Sequence, residues 1–263
     1  MSVIRIVVAL FSWLVSTIAC AAPVVVGNIV EVGALAGSGS ASVVVPSDAT
    51  VAIAFFHHYR SSPDILESLT LDGASFNVNQ LEQGANSLSG VGVGVLEFPT
   101  TGTVDLSWSW SDGVDRSYGG MIAIVFLKGV VSVNSGDIVL LQGASYDDLS
   151  GSVLNEPEDF VLGFATTESG DDAMMDTNGG EVLLSPWTYN YESATVVHVG
   201  SGLSGSSPLG MSGEYYSVLA GITMLTDGVP PVPGGATTVG PWGWLMLGSL
   251  LASFWLLFGG VRG

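Results

Sequence analysis

The sequence predicts an all-β fold: an antiparallel β-sandwich of jelly-roll type, carried as an ectodomain between an N-terminal signal peptide and a C-terminal transmembrane helix. Three observations lead there. Apolar, β-branched runs recur along the chain, each bounded by Gly, Ser, Asp or Pro. No long helical period appears before the last segment. Both ends carry uncharged apolar stretches, whereas the part between them is strongly acidic.

The first element is the export signal, residues 1–21. Met1 to Arg5 is a short basic start, Ile6 to Ala19 has no charge, and small residues follow. Ala19-Cys20-Ala21 fits the rule for signal peptidase, which places cleavage between Ala21 and Ala22. A competing reading takes Thr17-Ile18-Ala19-Cys20 as a lipobox, with a lipid on Cys20. A retained transmembrane helix fits worse, because the apolar run is short. Cys20 is the only cysteine, so either reading leaves the body without a disulfide.

The body, residues 22–227, is read as eleven strands. They are Val24-Gly33, Ser42-Val45, Thr50-His57, Ser68-Asp72, Val91-Phe98, Thr103-Trp110, Gly120-Leu127, Asp137-Leu141, Asp159-Thr166, Thr195-Val199 and Tyr215-Leu225. Val104 to Trp110 alternates, with Val, Leu and Trp toward a core and Asp105, Ser107 and Ser109 toward water. Met121 to Leu127 is apolar throughout, which predicts a central strand covered on both faces. Leu71-Asp72-Gly73-Ala74 predicts a tight hairpin, because Asp-Gly accepts the positive φ values of a type I′ turn. Many short strands with frequent turns point to a sandwich or jelly roll. No fixed-period repeat supports a solenoid.

All 24 acidic residues lie between Glu31 and Asp227, against Arg60, Arg116 and Lys128, so the body's formal charge is −21. That field repels phosphates and excludes nucleic acid as a partner. It disfavours an anionic membrane surface for the same reason. It suits divalent cations, or simply a solvated face of an envelope protein.

Gly228 to Gly235 is a linker in which prolines stiffen and glycines loosen the chain, and the linker segment runs over 228–241. The last element, 242–263, opens on Trp242. From there to Val261, twenty residues carry no charge, about the thickness of a bilayer core. Trp242 and Trp244 suit an interface, and Arg262 beyond the helix favours a cytoplasmic C-terminus.

Two resemblances follow from these residues. The Pro-rich spacer, Val239-Gly240-Pro241-Trp242-Gly243, the apolar helix and the closing Arg262 resemble the C-terminal sorting tails of the PEP-CTERM class, and most the IPTL-CTERM variety. The resemblance implies a membrane partner, and a sorting protease that removes the tail and passes the protein to the surface or exterior. In the body, Val51-Phe56, Leu69-Gly73, Gly92-Phe98, Pro99-Leu106, Ile122-Val130, Asp159-Gly163 and Tyr215-Leu225 resemble a loose class of β-sandwich modules in exported bacterial proteins. That class implies adhesive or carbohydrate-active company and supplies no catalytic residues.

Candidate chemistry in the body is sparse. His57 and His58 sit next to each other on a strand, so their rings point to opposite faces and do not chelate one ion together. One of them with His198 and a carboxylate would suit zinc; strand-end residues beside Tyr59 and Arg60 is the plainer reading. Asp171, Asp172, Asp176, Asn178 and Glu181 form the densest oxygen-ligand cluster, on a glycine-permissive loop. It reads either as a calcium site or as a solvated acidic loop, without EF-hand spacing. No other cofactor is expected. Glu156, Glu158 and Asp159 are candidates for glycoside hydrolysis by proximity alone. No Gly-x-Ser-x-Gly elbow, phosphate loop or redox cysteine pair is present.

Trp108 and Trp110 share a strand face and read as core. Trp187, Tyr189 and Tyr191 share a face if that segment is extended, and their polar neighbours place them toward a surface. They are the candidate ligand-stacking row. The expectation is therefore a non-enzymatic, exported module with a structural, adhesive or matrix role, its partners an extracellular polysaccharide or surface protein. A carbohydrate-binding module is the alternative, and a polysaccharide hydrolase the third.

Overall fold

The computed structural model describes residues 23–34, 36–59, 65–81, 89–111, 119–130, 132–143, 148–155, 159–168, 173–189, 192–200, 206–211 and 217–225. The chain divides into two units, Met1–Gly228 and Val229–Gly263, and every described residue belongs to the first. The expected signal peptide, linker and tail lie outside the described residues, with Ala21, Ala22, Pro241, Trp242, Gly243 and Arg262. Among the described residues no helix is long and apolar enough to cross a membrane.

The described chain is all-β, and all its strand pairings are antiparallel. In order the strands are β1 (Val24–Val25), β2 (Val30–Gly33), β3 (Ser38–Val45), β4 (Val51–Tyr59), β5 (Leu66–Leu71), β6 (Ala74–Ser75), β7 (Asn77–Leu81), β8 (Ser89–Glu97) and β9 (Gly102–Trp110). There follow β10 (Gly119–Lys128), β11 (Ser132–Gln142), β12 (Leu149–Leu154), β13 (Phe160–Glu168), β14 (Glu181–Tyr189), β15 (Glu192–Val199), β16 (Ser206–Met211) and β17 (Val218–Leu225).

Four sheets result. One has the order β1-β10-β4-β8-β7, with β2 also on β10; a second runs β3-β9-β5-β6. A third runs β11-β17-β13-β15-β14, and a fourth pairs β12 with β16. Side-chain alternation dictates how they stack. On β4, Ala52, Ala54 and Phe56 join a core with Leu106, Trp108 and Trp110 of β9. Val51, Ile53 and Phe55 point the other way, into a core with Leu162 and Phe164 of β13 and Ala220 and Ile222 of β17. The far face of the third sheet, with Val161, Val197 and Leu219, packs on Leu149, Val153 and Leu209 of the fourth. The stack thus runs deeper than the two sheets of a single sandwich. The Phe55 and Phe164 rings stack across the middle core, centroids 5.3 Å apart.

Met121 to Leu127 is buried on both faces, as its unbroken apolar run requires. The Asp72-Gly73 turn has φ of 51° and 77°, the type I′ signs, and joins β5 to β6. One expected strand is corrected. Val24-Gly33 is not continuous but splits into β1 and β2, because Gly27 takes φ 70° and packs its bare Cα against Pro46. β4 runs two residues past its expected end, through Tyr59, so His57 and His58 stand near the end of the strand, and both are buried.

Candidate functional site

The candidate residues within the described chain gather along β14, the outer strand of the third sheet. Its first residue, Glu181, pairs with His198 of β15. The His198 ring stacks on Phe160 at 4.3 Å and 7°. Burial lowers the His198 pKa from its usual value, and the nearby Glu181 carboxylate offsets part of that shift.

Ahead of Glu181 the chain makes a tight turn. Asn178 takes φ 47° and Gly179 φ 83°. The Asn178 N–H donates to Asp176 Oδ1 at 2.8 Å, an Asx turn, and Asn178 Nδ2 donates to the Gly200 carbonyl at 3.3 Å. The Gly180 and Gly200 N–H groups both donate to the Thr177 carbonyl, each at 2.8 Å. Of the calcium candidates, Asp176, Asn178 and Glu181 are therefore near one another in sequence, and the first two are engaged in closing their own loop. Asp171 and Asp172 lie outside the described residues. Among the described residues no three His, Cys, Asp or Glu side chains gather as a metal requires.

The middle of β14 lines an open cleft of about 470 Å³, whose walls are Val25, Gly27, Asn28, Ile29, Glu31, Leu183 and Leu184. The cleft lies at the break between β1 and β2, where residues 27–29 leave the ladder after the Val26 N–H has donated to the Phe126 carbonyl at 2.9 Å. Trp187 and Tyr189 follow at the other end of β14, both half-buried against the middle core. The Tyr189 ring lies directly over Gly33 of β2, where a Cβ would overlap it. Thr188 between them is exposed, so Trp187 and Tyr189 share a face, as the extended reading requires. Tyr191 lies outside the described residues. β14 carries two register shifts, at Val182/Leu184 and Leu184/Trp187, with Pro186 at the second. Such shifts bend an edge strand and blunt its pairing.

The remaining candidates stand apart. Trp108 and Trp110 are core, and Trp108 Nε1 donates to the Ala36 carbonyl at 3.3 Å. His58 tilts against Trp110 at 4.9 Å and occupies the space above Gly90. Alternation sends His57 to the opposite face of β4, where burial lowers its pKa to about 3, with the neighbouring His58 adding to the shift. An imidazole held neutral so firmly does not work as a base near neutral pH. Asp159 is half-buried; Glu156 and Glu158 lie outside the described residues.

Two features escaped the sequence. The cleft residues Val25 and Ile29 read as ordinary apolar strand residues, and Leu183 and Leu184 fall in no expected strand. Phe98 is 80 % exposed at φ 52°, with its N–H donated to the Thr50 carbonyl at 2.7 Å. A bulky residue in that conformation is rare, and an aromatic before Pro99 was the only signal.

No protein-family model matches this chain, no characterised protein is detectably similar to it in sequence, and no solved structure matches it.

Proposed function

We propose that this chain is an exported, non-catalytic envelope module: a jelly-roll-like β-sandwich body, displayed outside the inner membrane by its C-terminal helix and serving a structural, adhesive or matrix role. One observation carries the reading: the stack of antiparallel sheets is fused through three apolar cores. Such a stack is rigid and leaves edges and loops for contact. The acidic body and its two apolar ends support export and anchoring. The test is mass spectrometry of the mature termini in inner-membrane, outer-membrane and secreted fractions. An N-terminus at Ala22 is expected, with the tail either retained in the inner membrane or removed in surface material. An intact residue 1 in a soluble cytoplasmic fraction refutes the proposal.

The second reading is carbohydrate binding, favoured by the shared face of Trp187 and Tyr189 beside the β14 cleft. Aromatic faces stack on the apolar side of a sugar ring, and Asn28 and Glu31 supply polar contacts to its hydroxyls. A glycan array should give a hit that Trp187→Ala weakens at least tenfold. Silence on every glycan, or a hit indifferent to Trp187→Ala, refutes this reading.

A further inference from the structure

Among the described residues no strand pairs with the outer edge of β3. Ser38 to Val45 pairs with Ser109 to Gly102 of β9 without a register shift, and the Trp110 N–H donates to the Gly37 carbonyl just before it. Bonded and unbonded pairs alternate in an antiparallel ladder. Gly37, Gly39, Ala41, Val43 and Val45 thus bond β9, while Ser38, Ser40, Ser42 and Val44 turn their N–H and C=O groups outward. Those same four residues are exposed, Val44 by 67 %.

The other edges are managed. β14 and β11 contain register shifts. β2 is four residues long and carries Glu31, and β16 contains Pro208. β7 has five residues, with Gln80 tied to Leu66. β12 has six, and its Leu154 carbonyl accepts from Thr223 Oγ1 at 2.8 Å. β3 has eight residues with no charge, proline or bulge. A straight, uncharged edge of this length is what proteins otherwise avoid.

We propose that β3 is a self-association edge, pairing antiparallel with β3 of a second copy about a two-fold axis at Ala41. In that register Ser40 meets Ser42 of the other copy and Ser38 meets Val44, so every outward residue finds an outward residue and exchanges both bonds. Charge also selects a second copy's β3 over its other surfaces. The chain carries −19, and Val32–Ser47 is sixteen residues without a charge. Asp105, opposite Ser42 on β9, is the nearest carboxylate on the ladder. Three strand spacings separate it from its counterpart, about 14 Å, beyond the roughly 8 Å Debye length at physiological salt. The edge-to-edge contact buries little apolar area, so the dimer forms at high local concentration and strengthens with salt. The interface is read from the ladder alone and stands whether or not the chain is exported.

The test is sedimentation equilibrium of the full chain in density-matched detergent at low and high salt. S40K/S42K sets like charges opposite each other at about 5.5 Å and should weaken the dimer roughly tenfold. S40E/S42K places opposite charges in the same two positions and should restore it. Ser40 and Ser42 are both solvent-exposed, and unchanged thermal midpoints confirm that the variants fold. A monomer at every concentration overturns the proposal. So does a dimer indifferent to S40K/S42K, which would assign association to another surface, or a failure of S40E/S42K to restore it.

Discussion

His57 shows how one buried ring sets the response of the fold to acid. It is fully buried at the end of β4, and its folded pKa of about 3 lies below the ordinary 6.5. The unfolded chain therefore binds a proton that the folded chain refuses, between pH 6.5 and about 3. Stability is full above pH 6.5 and falls as pH drops through that window. His198 shifts in the same direction and adds to the slope. The His57 contribution amounts to roughly 3 kcal/mol between pH 6.5 and 4. Chemical denaturation at those two pH values should show the loss, and His57→Phe should flatten it. An unchanged slope in His57→Phe would place the acid response elsewhere. His58 shares the burial but not the face, and its ring rests in the space that Gly90 leaves open.

At the scale of elements, Gln80 performs a task that a strand pairing leaves undone. β5 shifts register on β9 between Leu66 and Ser68. Gln80 of β7 closes the gap: its Oε1 accepts from the Leu66 N–H at 2.9 Å, and its Nε2 donates to the Leu66 carbonyl at 3.1 Å. One amide thereby joins the first sheet to the second. Gln80→Ala leaves both backbone groups of a buried residue unpaired and should cost about 1–3 kcal/mol. A denaturation midpoint unmoved by this substitution would show that water replaces the amide. Neither β7 nor this tie was legible in the sequence, because Asn77–Leu81 is polar and lacks alternation. The continuous apolar runs were legible: β4, β10 and the alternating β9 sit where their patterns placed them. β14 was legible only conditionally, from Trp187 and Tyr189, since two register shifts and Pro186 disrupt its period. β12 and β16, rich in Ser and Gly, gave no period at all. The cleft was illegible for a related reason. It arises where β1 and β2 part at Gly27, and a glycine alone does not say that a strand will break there.

At the scale of the whole described body, the question is whether four sheets behave as one. Residues 23–130 build the first two sheets and 132–225 build the other two, so each half has a core of its own. What joins them is the middle core, built from the far faces of β4, β8 and β10 against β13, β15 and β17. Separating the halves would open Val51, Ile53, Phe55, Val93, Val125, Leu162 and Phe164 to water together. At about 1.5–3 kcal/mol for each large side chain, that exposure exceeds the stability of an ordinary domain. The halves should therefore unfold in one transition. Phe164→Ala removes one partner of the central ring stack and should cost about 3–5 kcal/mol. If the stack is cooperative, hydrogen exchange should accelerate equally in β15, beside the change, and in β9, two sheets away. Acceleration confined to β15, with β9 protected as before, would mean two sandwiches that fold separately and merely touch. The double substitution Phe55→Ala/Phe164→Ala should then cost less than the two single changes added together, by about 0.5–1.5 kcal/mol, because the ring contact is lost only once.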